Sequence, residues 1–285
     1  MTMRLRFFAA AFSLAGCGGA YAQQAGDNLI QLGYGHVLTL DSSQPLRTTL
    51  NTSVLTDLLG IRSPFVSPGT ESSVGDSSTV FFSMKHFFSD HIAVAADGGI
   101  PAHFKISGHG VIRPTGVTGT LFNVDLGDRA NNPLATAKQW TPAMLAQYYF
   151  GAATAELRPF VGIGASYTWF TQVNLDPNFE AASEANFGQV LALANGKPRP
   201  THVTAYASSS FQPLFNLGVT QRITSHWSLS ASMTYAMLHT RADIKIKARD
   251  DTVLSDSTTR IGINPLAMTL FLGYNFGPGI PFLHH

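Results

Sequence analysis

"WSLSASMTYAM", Trp227 to Met237, alternates two kinds of residue for its whole length. Trp227, Leu229, Ala231, Met233, Tyr235 and Met237 fall on one face, and Ser228, Ser230, Ser232, Thr234 and Ala236 on the other. Successive side chains of a strand point to opposite sides, so this is a strand with an apolar face and a small, hydroxyl-rich face. Its length suits one tilted strand crossing a bilayer. Leu266 to Phe276 repeats the pattern, with Leu266, Met268, Leu270, Leu272, Tyr274 and Phe276 opposite Ala267, Thr269, Phe271, Gly273 and Asn275. In Val161 to Trp169, Val161, Ile163, Ala165, Tyr167 and Trp169 alternate with Gly162, Gly164, Ser166 and Thr168. Weaker versions occupy Asn28 to Leu40, Val80 to Phe87, Ile92 to Pro101, Pro142 to Phe150 and Pro213 to Ile223, bringing the set to eight. An even number of strands closes a meander with both termini on one side. The fold expected is all-β: an eight-stranded antiparallel up-and-down transmembrane β-barrel.

Composition supports lipid over water. Charged residues make up 12% of the chain, about half the share usual for a soluble domain. The segment after residue 22 holds no apolar run near the length of a spanning helix, which excludes a helical membrane protein. Residues 1–22 read as a signal peptide: Arg4 and Arg6 precede the apolar Phe7 to Leu14, and Ala20-Tyr21-Ala22 is a small-x-small cleavage pattern. Leu14-Ala15-Gly16-Cys17 also resembles a lipobox, in which Cys17 would be acylated. Both readings export the chain from a bacterial cytoplasm. A barrel held in lipid by its strands does not need an acyl anchor, so cleavage after Ala22 is expected. Loss of Arg4 and Arg6 leaves 16 of the 18 basic residues against 17 acidic ones. Near-neutrality argues against nucleic acid as a partner. Cys17 is the only cysteine, so no disulfide framework is available.

The connections alternate in length. Phe88 to His91, Gly151 to Pro159 and Thr224 to His226 are short, whereas residues 41–75, 107–138, 171–208 and 247–257 are long. Short turns at one end and long extracellular loops at the other is the arrangement of outer-membrane barrels. Trp140, Trp169 and Trp227 each fall at a strand end, where an aromatic girdle lies.

Three stretches, "SDHIAVAADGGIPAHFKISG" (Ser89 to Gly108), "MLAQYYFGAATAELRPFVGIGASYTWF" (Met144 to Phe170) and "INPLAMTLFLGYNF" at the end, carry the blocks A-Q-Y-Y-F-G, R-P-F-V-G-I-G and N-P…G-Y-N-F in order. Together they resemble the OmpW family of outer-membrane proteins, OmpW/AlkL-like barrels, from about Gly26 to Phe276. The resemblance implies an eight-stranded barrel with periplasmic termini in the bacterial outer membrane. It also implies passage of small hydrophobic molecules, with outer-membrane lipid and the barrel-assembly machinery as partners. Two features depart from the family pattern. The chain runs on past Phe276 as a 277–285 extension, expected to be periplasmic, and its loops are longer than the family's.

An eight-stranded barrel is just wide enough to be filled by its own side chains, so a broad aqueous pore is excluded. The inward set includes apolar Phe81, Leu145, Leu214 and Phe271 beside Gly33, Gly162, Gly164 and Gly218. These apolar residues either line a channel for hydrophobic solutes or plug the barrel. Pro101, Pro142, Pro213 and Pro265 sit at loop-side strand ends. A proline removes a ladder hydrogen bond, so these positions either loosen the wall into a lateral opening or mark where strands leave the membrane. "TSVLTDLLG" (Thr52 to Gly60) and "FGQVLALANG" (Phe187 to Gly196) read as short helices ending at glycine. They place Val54, Leu55, Leu58 and Leu59, or Val190, Leu191 and Leu193, at the surface as an entrance, or pack them to close the top.

Catalysis is not indicated. The ten histidines are scattered apart from His284-His285, and no metal-ligand spacing occurs. His103 reads as a surface or structural histidine, with a lumen-facing position as the alternative. No G-x-S-x-G elbow is present, and Ser228, Ser230 and Ser232 have no acid close in sequence, which leaves an outer-membrane lipid-modifying enzyme as the least favoured alternative. No cofactor is expected. The competing function is a non-transporting barrel acting in adhesion or stress resistance through its loops; apolar helical loops suit import better.

Overall fold

The computed structural model describes residues 23–40, 42–53, 57, 60, 62–114 and 123–278. The leader with Cys17 and Ala22, the Val54, Leu55, Leu58 and Leu59 helix face and the tail beyond residue 278 lie outside the described residues.

Eight strands form the barrel: β1 (Asn28–Leu38), β2 (Ser77–Phe87), β3 (Ile92–Gly99), β4 (Ala143–Tyr149), β5 (Leu157–Leu175), β6 (Ser210–Arg222), β7 (Trp227–Ala236) and β8 (Leu266–Asn275). Each pairs antiparallel with its neighbour in sequence, and β8 pairs with β1 to close the ring. Closure leaves no open edge in lipid. The wall carries exposed Leu32, Tyr34, Met84, Ile163, Phe215, Leu217, Leu229, Leu270 and Leu272. Such a belt is what a lipid-immersed barrel presents.

Inside the belt, buried polar residues, Gln31, Ser83, Gln147, Asn216, Thr220 and Ser230, stand beside apolar ones such as Phe160, Leu145 and Leu214. Above the loop-side end of the belt the polarity inverts. Leu46, Leu50, Phe65, Ile112, Leu126, Leu134, Phe179, Phe187, Leu191, Val203, Ile246 and Leu254 form a buried apolar core. A wall meeting lipid needs its apolar side outside; the same wall meeting water needs it inside.

The inversion explains where the expected loops differ from those observed. Residues 107–138 and 247–257 were expected to be loops, yet strands enter both. Ala102–His109 and Ala135–Trp140 join Glu71–Val74 and the upper part of β5 in one wall. His239–Lys247 and Val253–Gly262 join His202–Ala207, Arg47–Leu50 and Phe65–Val66 in a second sheet. Their outward residues, such as Arg241, Lys245 and Arg260, are charged, so the lipid-belt pattern sought in the sequence is absent although the period of two is kept.

Residues 171–208 hold helical turns rather than an open loop. Helix α1 (Pro177–Ser183) starts at Asp176, whose side chain accepts the backbone N–H of Asn178, with Pro177 in the first turn. A π-helical turn, Glu184–Gly188, leads into α2 (Gln189–Ala194). The expected surface trio divides: Leu193 is exposed, Leu191 is buried in the cap core and Val190 is half-buried. Of the two alternatives, Leu191 follows the one that closes the top, while Leu193 stays at the surface.

Candidate functional site: the barrel interior and a break in its wall

The floor of the interior lies at the short-turn end. Phe87, Ala93, Tyr149 and Phe160 pack there as one buried cluster. Lys85 Nζ donates to Tyr149 Oη at 3.1 Å and lies 4.9 Å from the Phe160 ring centre. The Arg158 guanidinium lies 5.2 Å from the Tyr149 ring centre and donates to the carbonyls of Gln23 and Asp90. Both cations are buried, and they are held by ring faces and carbonyl oxygens. Above this packing, Tyr149 Oη donates to Gln147 Oε1 (3.2 Å), Gln147 Nε2 to Asn216 Oδ1 (2.8 Å) and Asn216 Nδ2 to Thr234 Oγ1 (2.9 Å). Gly162 makes the second of these bonds possible, because a Cβ there would lie 3.1 Å from Gln147 Cγ.

Towards the loop end the lumen opens into a cavity of about 130 Å³ with a mixed lining, in which Asp97, Gln139, Thr141, Gln212 and Thr269 stand among apolar side chains. Phe81, Leu145, Leu214 and Phe271 all line it. Gly33 is paired with Phe271 on one side and with Phe81 on the other. A Cβ on Gly33 would stand 2.4 Å from Phe271 Cδ1, so the glycine supplies the space that the ring occupies. Gly218 does the same for Phe160, and Gly164 has the Leu145 side chain against it. A second cavity of about 100 Å³ lies above, lined by residues including Val74, Ile106, Phe170, Ile244 and Ile261. Phe104 and Gln139 line both cavities and so stand between them.

The first cavity meets a gap in the wall. Pairing between β3 and β4 ends at Asp97 with Ala143, and pairing resumes at Ala102 with Gln139. Residues 98–101 and 140–142 face each other without ladder bonds, and Pro101 and Pro142 lie one on each side. Gly98, Gly99, Ile100 and Thr141 line the cavity at this point. Pro213 sits below a second interruption, between its own carbonyl bond to the Met237 N–H and the Ser208–Arg241 bond. Pro265 differs from the other three. Its carbonyl accepts the Ala236 N–H, and Ile263 N donates to Leu238 O just beyond, so the ladder passes it intact. Pro265 marks the end of β8 rather than a gap.

Trp140 and Trp169 are register partners and stack with ring centres 5.9 Å apart. Trp227 packs edge-on to Tyr274 at the other rim. His103 is exposed, between buried Ala102 and Phe104, so it points away from the lumen. Sequence reasoning did not find the floor. Its signal was present as Lys85 within an otherwise lipid-type alternation and as Arg158-Pro159-Phe160 just before a strand taken to start at Val161.

A profile of the OmpW family matches residues 25–190. Outer membrane protein W of Vibrio cholerae is 27% identical over 256 residues, covering 90% of this chain and 91% of that protein. Outer membrane protein W of Escherichia coli is 26% identical over 157 residues, 55% of this chain and 63% of that one. Among solved structures, the outer membrane protein OprG of Pseudomonas aeruginosa superposes with a TM-score of 0.63 at 18% identity, covering 90% of this chain and 99% of OprG.

Proposed function

The chain belongs to the OmpW family of outer-membrane proteins, and from that premise we propose that it passes small hydrophobic molecules into the outer membrane, by lateral exit through the barrel wall. The observation that carries the reading is the meeting of a partly apolar cavity, with Phe81, Leu145, Leu214 and Phe271 in its wall, with the unpaired segment between Asp97–Ala143 and Ala102–Gln139. The loop end faces outward and the termini face the periplasm. A solute enters from the loop end, passes the Phe104–Gln139 constriction and reaches the chamber of Phe81, Leu145, Leu214 and Phe271. The Lys85–Tyr149–Arg158–Phe160 floor blocks straight passage, so the side route past Pro101 and Pro142 is the short one.

Transfer from water to lipid is downhill for an apolar solute by roughly 0.8 kcal/mol per methylene. The barrel therefore needs no energy input, cofactor or catalytic group, only a dry path through the polar headgroup layer. The reading is of a conduit delivered by the barrel-assembly machinery.

The test is uptake of a medium-chain alkane probe by lipid vesicles with and without the refolded protein, with folding verified on unboiled gels. Uptake that rises with folded protein, while a small sugar stays excluded, supports the proposal. No rise from a folded barrel overturns it and leaves adhesion or stress resistance through the loops.

A further inference from the structure

Arg241 and Arg260 are direct register partners on the strands His239–Lys247 and Val253–Gly262. Both are exposed, and the intervening Thr240 and Ile261 are buried, so the two guanidinium groups share the outer face. Like charges directly opposite on a sheet destabilise it unless something neutralises them. Arg241 is partly answered: its Nε donates to Asp243 Oδ1 at 2.8 Å and an Nη to Thr258 Oγ1 at 3.1 Å. Asp256, the next carboxylate along, is engaged with Lys245 at 3.4 Å. Arg47, paired with Thr258, adds a third exposed guanidinium to the same face, and His239 lies across from Gly262. Among the described residues, Asp243 is the carboxylate bonded to Arg241, and Asp256 is taken by Lys245.

The pair borders a groove of about 700 Å³ whose other walls include Ser43, Gln44, Ser208 and His239. Its level in the membrane is marked from below by exposed Leu40 and Met237, which follow β1 and β7. Leu40 N donates to Ile263 O, and Met237 N to Pro213 O, one step beneath the groove. Trp169 marks the same boundary, following Thr168, which is paired with Ser210. An arginine pair at that height meets lipid headgroups rather than acyl chains or bulk water. Guanidinium groups suit phosphate oxygens because their planar N–H donors bind them two at a time.

We propose that this groove binds the phosphate group of a membrane lipid headgroup, held between Arg241 and Arg260. With the loop end outward, the lipid is the phosphorylated glycolipid of the outer leaflet. Binding there supplies the counter-charge that the strand pair lacks and seats the lipid beside the second ladder interruption, near Pro213.

The experiment is native mass spectrometry of the whole folded protein with bisphosphorylated lipid A, with a dephosphorylated form of the same lipid, with phosphatidylglycerol and with inorganic phosphate. The expected result is retention of bisphosphorylated lipid A, loss of retention with the dephosphorylated form, and at least a tenfold weakening in the Arg241→Ala/Arg260→Ala variant. Arg260→Lys, which keeps the charge and loses the fork, falls between. Equal retention by the parent and the double variant overturns the proposal. Arginine-dependent binding of phosphatidylglycerol that matches lipid A keeps the phosphate site and overturns the outer-leaflet assignment. Binding of inorganic phosphate alone overturns the lipid assignment. Unboiled-gel mobility of each variant verifies the barrel before the comparison is read.

Discussion

Pro101 and Pro142 flank one break in the barrel wall from opposite strands, between the Asp97–Ala143 and Ala102–Gln139 pairs. Neither has a backbone N–H to give. The one missing at Pro101 is on the gap side, since the neighbouring Ile100 N–H goes to Val80 on β2, whereas the one missing at Pro142 is on the β5 side, where its carbonyl accepts the Tyr167 N–H. Replacing both with alanine supplies the donors. Each restored ladder bond is worth about 1 kcal/mol, so Pro101→Ala/Pro142→Ala is expected to raise barrel stability and lower hydrophobe uptake several-fold. Unchanged uptake in vesicles, at confirmed folding, would exclude the lateral route.

Gly98 offers a second handle on the same gap. Nothing lies within 4 Å of a Cβ built there, and its register partner Phe82 faces lipid. Gly98→Trp therefore adds bulk on the lipid side of the opening without strain in the wall. The variant is expected to fold as the parent does and to release hydrophobes more slowly. A folded Gly98→Trp barrel with parental uptake rates contradicts exit at this position.

Gly33 is the opposite case. Its missing side chain is the space taken by Phe271, and overpacking of this kind costs about 1–3 kcal/mol. Gly33→Ala should lower the temperature at which the barrel loses its compact gel mobility. Adding Phe271→Leu should recover part of that loss, because the obstructing ring is gone. Non-recovery would place the cost at the Leu270 carbonyl of β8, 2.8 Å from a Cβ at Gly33, rather than in the ring.

The eight spanning strands were legible because lipid fixes the pattern. Trp227 to Met237 and Leu266 to Phe276 must be apolar on one face, and the narrow lumen limits what stands on the other. Above the membrane that constraint lapses. In His239–Lys247 the outward Arg241 and Lys245 alternate with inward Thr240 and Ile246, a pattern that also fits a polar loop. The lumen-lining Phe81, Leu145, Leu214 and Phe271 were readable from strand parity alone. The floor was not, because Lys85 reaches Tyr149 across two strand pairings, and Arg158 meets it only through the register that pairs Tyr149 with Phe160. The difference between Pro265 and Pro142 also depends on cross-strand partners, which a single sequence does not display.

The floor predicts a barrier to ions. Phe160 is buried against Tyr149, with ring centres 4.9 Å apart, and Lys85 sits over its face. Phe160→Ala should cost about 3–5 kcal/mol as a large buried ring is removed, and should leave Lys85 without that ring. In planar bilayers the parent is expected to show little ion conductance and Phe160→Ala a measurable increase. Conductance unchanged by Phe160→Ala, in a variant shown to be folded, would mean that the barrier lies elsewhere, at the Gln147–Asn216 level or above.

The cap carries a pH dependence of its own. Burial, and secondarily the nearby Glu180 carboxylate, hold the Glu184 carboxyl above its ordinary value of 4.5, with His202 acting the other way. A carboxyl whose folded-state value is raised favours the folded cap when protonated. That contribution is fully present below the unfolded value and is lost as pH rises through the folded one. At neutral pH, Glu184 therefore weakens the packing of α1, the π turn and α2 over the apolar core. Glu184→Gln removes the charge while keeping the size, so the variant cap should resist limited proteolysis better than the parent at pH 7. The two should converge near pH 4, where the parent carboxyl has taken up its proton. Proteolysis at both pH values, with a protease active across the range, measures this directly. An advantage for Glu184→Gln that persists unchanged at pH 4 would show that the charge is not the cause, and that Glu184 acts through packing against its neighbours instead.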